Sequence, residues 1–428
     1  MSRDGDESSN LSKLAAIATI ISTIITIIIF ISNPVSLVTA LHNIGYLYTP
    51  STPASNTPVP NTSVSGVYAY VTNNLNNSVS VIDTATNKVI TNVSVGICPH
   101  GVAFTQDGSK VYVTNEDDNT VSVINTTTNK VTTTVSVGDN PLGIAINSEG
   151  TKAYVTNQDS SDVSLIDINT NKVVATVPVG NKPRGVAIVP DGSKVYVINN
   201  DDNTVSVIDT TTNKVTTTVS VGSKPIGVAV SPDGGRAYIG NQASNNVSII
   251  DSSTNKVISS VDVGVGPHGI AITPDGEKVY VANYDSKNVS VINADTNTVT
   301  GNVEIGDNPW GIAITPNGKE VYVTKTHDNV VSIIDTASNT VSGKVNVGKR
   351  PFAFGEFIGN RLSSAPETSR YTKNSIVTSQ YNIKNYLAKN QQLVDIAIIV
   401  SQNPLISTII GGLVVSIIMF FVQKKSIK

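Results

Sequence analysis

The chain has 428 residues, 14% of them charged, and a net charge of −3 with neutral histidines. Soluble domains carry about 25% charged residues, so this is a polar, weakly charged surface, and it offers no basic stripe for nucleic acid. Its single cysteine, Cys98, excludes an internal disulfide.

Residues 1–13 precede an apolar segment from Leu14 to Ser32, whose 19 uncharged residues would span roughly 28 Å as a helix, close to the ~30 Å hydrocarbon core of a bilayer. This segment is expected to cross a membrane, and a signal peptide cleaved near Val38-Thr39-Ala40 is the alternative. Residues 33–65 contain no Lys, Arg, Asp or Glu, and Pro50 to Asn61 has the Pro/Ser/Thr composition of a tether.

From Gly66 onward the chain repeats. Tyr70, Tyr112, Tyr154, Tyr196, Tyr238, Tyr280 and Tyr322 lie 42 residues apart without insertion or deletion, which means stacked copies of one small unit. In the second copy, Val102 to Thr105, Val111 to Asn115, Val121 to Asn125 and Val131 to Val137 are short β-branched runs bounded by turn residues. Alternation along the last of them is a strand pattern. Asp-Gly or Asn-Gly pairs (Asp107-Gly108, Asp191-Gly192, Asp233-Gly234, Asp275-Gly276, Asn317-Gly318) predict tight hairpins in which both central residues take positive φ. Four antiparallel strands per 42 residues make a propeller blade. The expected fold is therefore all-β, a seven-bladed propeller over residues 66–360.

A strand from Pro351 to Ile358 should complete the first blade, which otherwise lacks its inner strand. Glu356 then falls in the register where other copies carry Phe, Ile or Val.

Residues 361–404 read as a second tether. Residues 405–422 are a second apolar segment, and the 423–428 tail carries Lys424, Lys425 and Lys428. By the positive-inside rule both termini are expected in the cytoplasm and the propeller outside, with its membrane anchors at the terminal helices. Sequons at Asn61, Asn76, Asn92, Asn125, Asn246 and Asn288 fit an exterior, glycosylated surface.

The tetrapeptides Tyr112-Val113-Thr114-Asn115 and Tyr154-Val155-Thr156-Asn157, with the recurring Pro-x-Gly-(Val/Ile)-Ala element, resemble the YVTN family of β-propeller repeats. That resemblance implies a likeness to archaeal surface-layer propellers. Tyr196-Val197-Ile198-Asn199, Tyr238-Ile239-Gly240-Asn241 and Tyr322-Val323-Thr324-Lys325 depart from the tetrapeptide.

One residue per blade varies between Pro and Gly, with Ala353 in place of Gly in the last copy: His100, Leu142, Arg184, Ile226, His268, Trp310 and Phe352. Strand order puts these seven around one mouth of the channel, here called the top, and His100, Arg184, His268, Trp310 and Phe352 are the candidate ligand-binding ring. The loops between second and third strands share that face and carry Asp117, Asp118, Asp159, Asp162, Asp201, Asp202, Asp285 and Asp328, oxygen-rich side chains that can hold Ca²⁺ or bond sugar hydroxyls, although Asp is first of all an ordinary turn residue and no loop has the spacing of a dedicated calcium loop. His100 and His268 lie too many blades apart to share an ion, so no metal and no cofactor is expected.

No G-x-S-x-G or H-E-x-x-H motif is present and no catalytic residue is assigned. The favoured reading is a non-enzymatic cell-surface module that binds an envelope protein or glycan. Its alternative is a propeller enzyme of the quinoprotein dehydrogenase or lactonase type.

Overall fold

The computed structural model describes residues 66–361. Seven four-stranded antiparallel sheets form the blades of a ring; in six of them the strands run in chain order from the channel outward, and in the first the inner strand comes from the C-terminal end of the described residues. The second blade is typical, with an inner strand Pro99–Phe104, a second strand Lys110–Asn115, a third Thr120–Asn125 and an outer strand Lys130–Ser136. Burial explains the composition of each. The second and third strands are almost wholly buried between neighbouring blades, whereas the outer strand alternates Val inward and Thr or Ser outward. Among the described residues no helix is long and apolar enough to cross a membrane. The expectations for residues 1–65 and 362–428, including both membrane segments, lie outside the described residues.

Each letter of the Tyr-Val-Thr-Asn tetrapeptide has its own task. Tyr is fully buried, and its hydroxyl reaches the next blade: Tyr70 donates to Asn129 Oδ1 (2.7 Å), Tyr112 to Asn171 (2.5 Å), Tyr196 to Asn255 (3.1 Å) and Tyr280 to Asn339 (2.7 Å). Tyr322 donates to Asn87 and so joins the last blade to the first. Those Asn residues turn the chain from third to outer strand with positive φ, between 51° and 54° at Asn87, Asn129, Asn171 and Asn255, a conformation Asn tolerates. Val fills the core between blades. Thr114 Oγ1 accepts from Gly101 N in its own blade and donates to Leu142 O in the next. Asn115 Nδ2 donates to Thr120 and Ser122 and so ties the second strand to the third.

The Gly of Pro-x-Gly is demanded by the same neighbour. A Cβ on Gly143 would collide with the Arg184 carbonyl oxygen, and one on Gly227 with that of His268.

Two expectations are corrected. In the Asp-Gly turns only Gly has positive φ; Gly108 N bonds Thr105 O across a turn, and Asp107 caps it by accepting from Ser109 N and Thr105 Oγ1. The hairpin is thus a four-residue turn ending in a left-handed glycine.

The C-terminal strand does close the first blade, but not in the repeat's register. Pro351 bridges Asn73 and Ile358–Arg361 pairs with Gly66–Ala69, so the ends hold. The repeat would set Glu356 opposite Ala69, as Phe104 is set opposite Val111, yet Ile358 takes that place. Two extra residues therefore leave the sheet as a bulge, within which Phe354 crosses over to bond the neighbouring inner strand through His100 O and Val102 N. Glu356 is thereby freed from the hydrophobic register, and Ile358 fills it.

Replacing Tyr280 by Phe takes the donor from the half-buried Asn339 Oδ1 and is expected to lower unfolding stability by about 1 kcal/mol in urea titrations. The same change at Tyr154, whose hydroxyl has no partner, should cost close to nothing.

Candidate functional site

The top mouth is built from two rings of seven. One is the variable residue of Pro-x-Gly. The other, which the sequence reading passed over, is the residue directly after the tetrapeptide: Asn74, Glu116, Gln158, Asn200, Gln242, Tyr284 and Thr326. It recurs at the same 42-residue period, and Glu116 and Tyr284 break its run of small or amide side chains. That irregularity was the available signal.

The backbone under the first ring is held by neighbouring blades. Thr72 donates to His100 O (3.0 Å), Thr156 to Arg184 O (2.6 Å) and Thr324 to Phe352 O (2.9 Å). Where Gly240 and Ala282 replace that Thr, the carbonyls of His268 and Trp310 lose this donor. His268 is secured instead by its ring, with Nδ1 2.8 Å from Gly266 O.

The mouth divides into two halves. On one side His100 Nε2 lies 2.6 Å from Glu116 Oε2, and Asn74 Nδ2 is 3.2 Å from the same nitrogen. Burial opposes the charge on Glu116, but hydrogen bonds from His100 and Asn140 and the nearby Arg184 outweigh it and hold the carboxyl below its usual range. Arg184 is itself largely removed from water, which lowers its pKa against the pull of Glu116 and Asp201, and its buried Nε has no partner. Such an unpaired charged donor is costly unless something else fills it.

The other half is aromatic. His100 stacks on Phe352 (4.4 Å between ring centres), Trp310 meets Phe352 edge-on (4.7 Å) and His268 packs on Trp310 (4.2 Å). Tyr284 adds a further wall against His268 (5.0 Å) and Trp310 (5.6 Å), and the Arg350 guanidinium sits over the Phe352 ring at 5.1 Å. The structure thus brings His100, Arg184, His268, Trp310 and Phe352 to one mouth, with Glu116 and Tyr284 as the residues missed.

The loop aspartates share this face but are spent on structure. Asp118 accepts from Ile97 N (2.6 Å) and Asp202 from Asn181 N (2.7 Å). Asp159 pairs with Lys182 (2.5 Å), Asp201 with Lys224 (2.9 Å) and Asp328 with the buried Lys325. Asp162 accepts from Asn157, and Asp285 packs against Gly266. Asp117 bonds the Cys98 thiol, whose pKa is pushed up to about 11 by burial and then by that bond, so the thiol stays protonated. Among the described residues no group of three or more His, Cys, Asp or Glu is placed to hold a metal ion.

A cavity of about 450 Å³ lies lower in the ring along the inner strands, and none of His100, Glu116 and Arg184 lines it. Hydrolytic chemistry needs convergent polar groups, which the mouth has, whereas Glu356 is the one ionisable side chain on the cavity wall.

The chain matches the family described as lactonase, 7-bladed beta-propeller, over residues 62–177, 88–225 and 172–304, and it belongs to that family. Residues 258–358 also match the YNCE-like beta-propeller description. None of the curated proteins matches the chain. Similar solved structures include Kuenenia stuttgartiensis hydrazine synthase, 22% identical with a TM-score of 0.59 over 67% of this chain and 99% of that one. A provisionally assigned 6-phosphogluconolactonase from Bacteroides fragilis NCTC 9343 is 19% identical, with a TM-score of 0.60 over 71% and 99% of the two chains. These likenesses show the propeller fold.

Family membership overturns the non-enzymatic surface module expected from the sequence and supports the lactonase arm of its alternative. The uniform blades misled that reading, because the charged and aromatic residues that set the mouth apart fall at only two positions of each repeat. The likeness to YVTN repeats holds at the level of a β-propeller of repeated blades.

His268 is 2% exposed, and desolvation lowers its pKa to about 4 despite the Gly266 bond. Its ordinary value is about 6.5, so the unfolded chain binds more protons between those values and stability falls as pH drops from about 6.5 through about 4, by on the order of 3 kcal/mol. Denaturant titrations of wild type and His268→Phe across that range are expected to diverge by this amount; a pH-independent difference would refute the neutral, buried imidazole.

Proposed function

We propose that this propeller is a lactonase-type hydrolase that opens a cyclic ester at its top mouth. The observation that carries the reading is the His100–Glu116 pair beside an arginine whose buried Nε–H is unpaired. The 2.6 Å contact assigns the Nε2 proton of His100 to the Glu116 carboxylate, which leaves Nδ1 as the basic nitrogen. A water placed there loses its proton to Nδ1 as its oxygen bonds the lactone carbonyl carbon. The Arg184 Nε–H supplies a donor for the resulting oxyanion. When the ring C–O bond breaks, the imidazolium returns the proton to the departing alkoxide, and the product is an open hydroxy acid.

Glu116 orients the imidazole and steadies its charge, the role a carboxylate plays beside a catalytic histidine. The aromatic half, Trp310, Phe352 and Tyr284, offers faces on which a saturated ring can lie, and so sets the carbonyl toward the polar half. In the same reading residues 14–32 and 405–422 anchor the propeller outside a membrane, supported by their length, their apolar composition and the lysines that follow the second.

Hydrolysis of a panel of γ- and δ-lactones, followed by acid release, is the test. We expect His100→Asn and Glu116→Gln each to lower kcat by roughly 10²–10³-fold, and Arg184→Met by on the order of 10²-fold, with unfolding midpoints close to wild type. Full activity in His100→Asn would exclude this mechanism.

A further inference from the structure

The lower channel is walled by the inner strands of the second to seventh blades, with Ile144, Val186, Val228, Ile270 and Ile312 among its aliphatic lining. Into this tube the first blade sends something different. Its two-residue bulge carries Ala353 at φ 43°, Gly355 at φ 100° and, beside them, Glu356. At Gly355 an added Cβ would lie 2.9 Å from Val102 O, so the bulge is pressed against the inner strand of the neighbouring second blade. A non-glycine residue at positive φ costs stability, and such strain gathers where a chain is held for a purpose.

Glu356 makes no hydrogen bond or ion pair among the described residues and is the only ionisable side chain lining the cavity. It is open to the water of the channel, yet protein surrounds it on every side, so desolvation alone raises its pKa. Among the described residues the carboxyl therefore stands without a counter-charge, at the edge of a volume of about 450 Å³ walled by aliphatic side chains and inner-strand backbone, within the range of small-molecule sites.

We propose that the lower channel is a second binding site, for a small aliphatic ammonium ion whose charge pairs with Glu356 and whose hydrocarbon fills the tube. A hydrated metal ion suits it poorly, because one carboxylate on an aliphatic wall cannot replace a shell of six or more oxygens. A neutral apolar guest would cover the carboxyl and leave it unpaired, at a cost of a few kcal/mol. An alkylammonium satisfies both halves of the wall. At the rim Gln106, Asn147 and Ser148 face Pro190, Pro232 and Pro274, so the entrance too has a polar and an apolar side.

The test is calorimetric titration of the full chain with cyclohexylammonium chloride and, as the uncharged analogue, cyclohexanol, in wild type and Glu356→Gln. Wild type is expected to bind the amine at least tenfold more tightly than the alcohol, and Glu356→Gln to lose that preference while keeping the wild-type unfolding midpoint, since its carboxyl has no partner to lose among the described residues. Equal amine affinity in the two proteins would place the amine elsewhere, for instance on the aromatic mouth, and overturn the proposal. Absence of binding to wild type would overturn it as well. A measurement independent of any variant is the pH dependence. The wild-type affinity for the amine should rise with pH as Glu356 ionises, because the amine stays protonated through that range and no other ionisable group lines the cavity; a flat profile refutes the pairing.

Discussion

A buried phenol gains by finding a partner for its hydroxyl, and in five of the seven blades that partner is an Asn of the next blade. Tyr70, Tyr112, Tyr196 and Tyr280 each reach an Asn that stands 59 residues further on, and Tyr322 reaches back to Asn87 to complete the circle. The Asn is itself held in a left-handed turn, so its carbonyl oxygen is aimed rather than free. One inserted residue between the two would break the bond and turn every strand face that follows. The unbroken 42-residue spacing is the trace of that constraint.

The same inter-blade bonding decides where variation is tolerated. Tyr, Thr and the Gly of Pro-x-Gly are committed to neighbouring blades through hydrogen bonds or close carbonyl approach, and Asn to the third strand of its own blade. The side chains between Pro and Gly, and those just after the tetrapeptide, are attached to this rigid frame but not needed by it. Their backbones are pinned, at His100, Arg184 and Phe352 by threonines of the preceding blade, while their chemistry is unconstrained. A repeat architecture thus yields an asymmetric mouth, with charge gathered at His100, Glu116 and Arg184 and aromatic rings at His268, Trp310, Phe352 and Tyr284. A uniform scaffold with a few odd residues is what a preorganised site requires, since the frame bears the cost of holding unpaired donors such as Arg184 Nε away from water.

Ring closure introduces the second asymmetry. A propeller cannot make its last sheet by continuing the chain, so a strand from the far end must enter the first blade. Here it enters two residues out of step, and the surplus goes to the one empty place available, the channel. The device that seals the ring also puts the only carboxyl into the lower cavity.

Blade number, strand order and the closing strand were legible in the residues because strand period, turn chemistry and a strict repeat all act locally. The ring His100, Arg184, His268, Trp310 and Phe352 was legible too, since equivalent positions in a closed ring must share a face. Glu116 was not, although it breaks its own column of amides, because only the pairing of the inner and second strands, Pro99 opposite Asn115, sets it 2.6 Å from His100, 16 residues away along the chain. Nor could the bulge at Phe354 to Glu356 be read, for a two-residue shift in register changes no local pattern. What the sequence by itself determined is the ring and its two faces, because each blade carries its own strand and turn code. Only the tertiary structure decided which polar groups converge, that the loop aspartates serve the loops, and that Glu356 hangs in the channel, because those outcomes depend on carbonyls and side chains supplied by a neighbouring blade.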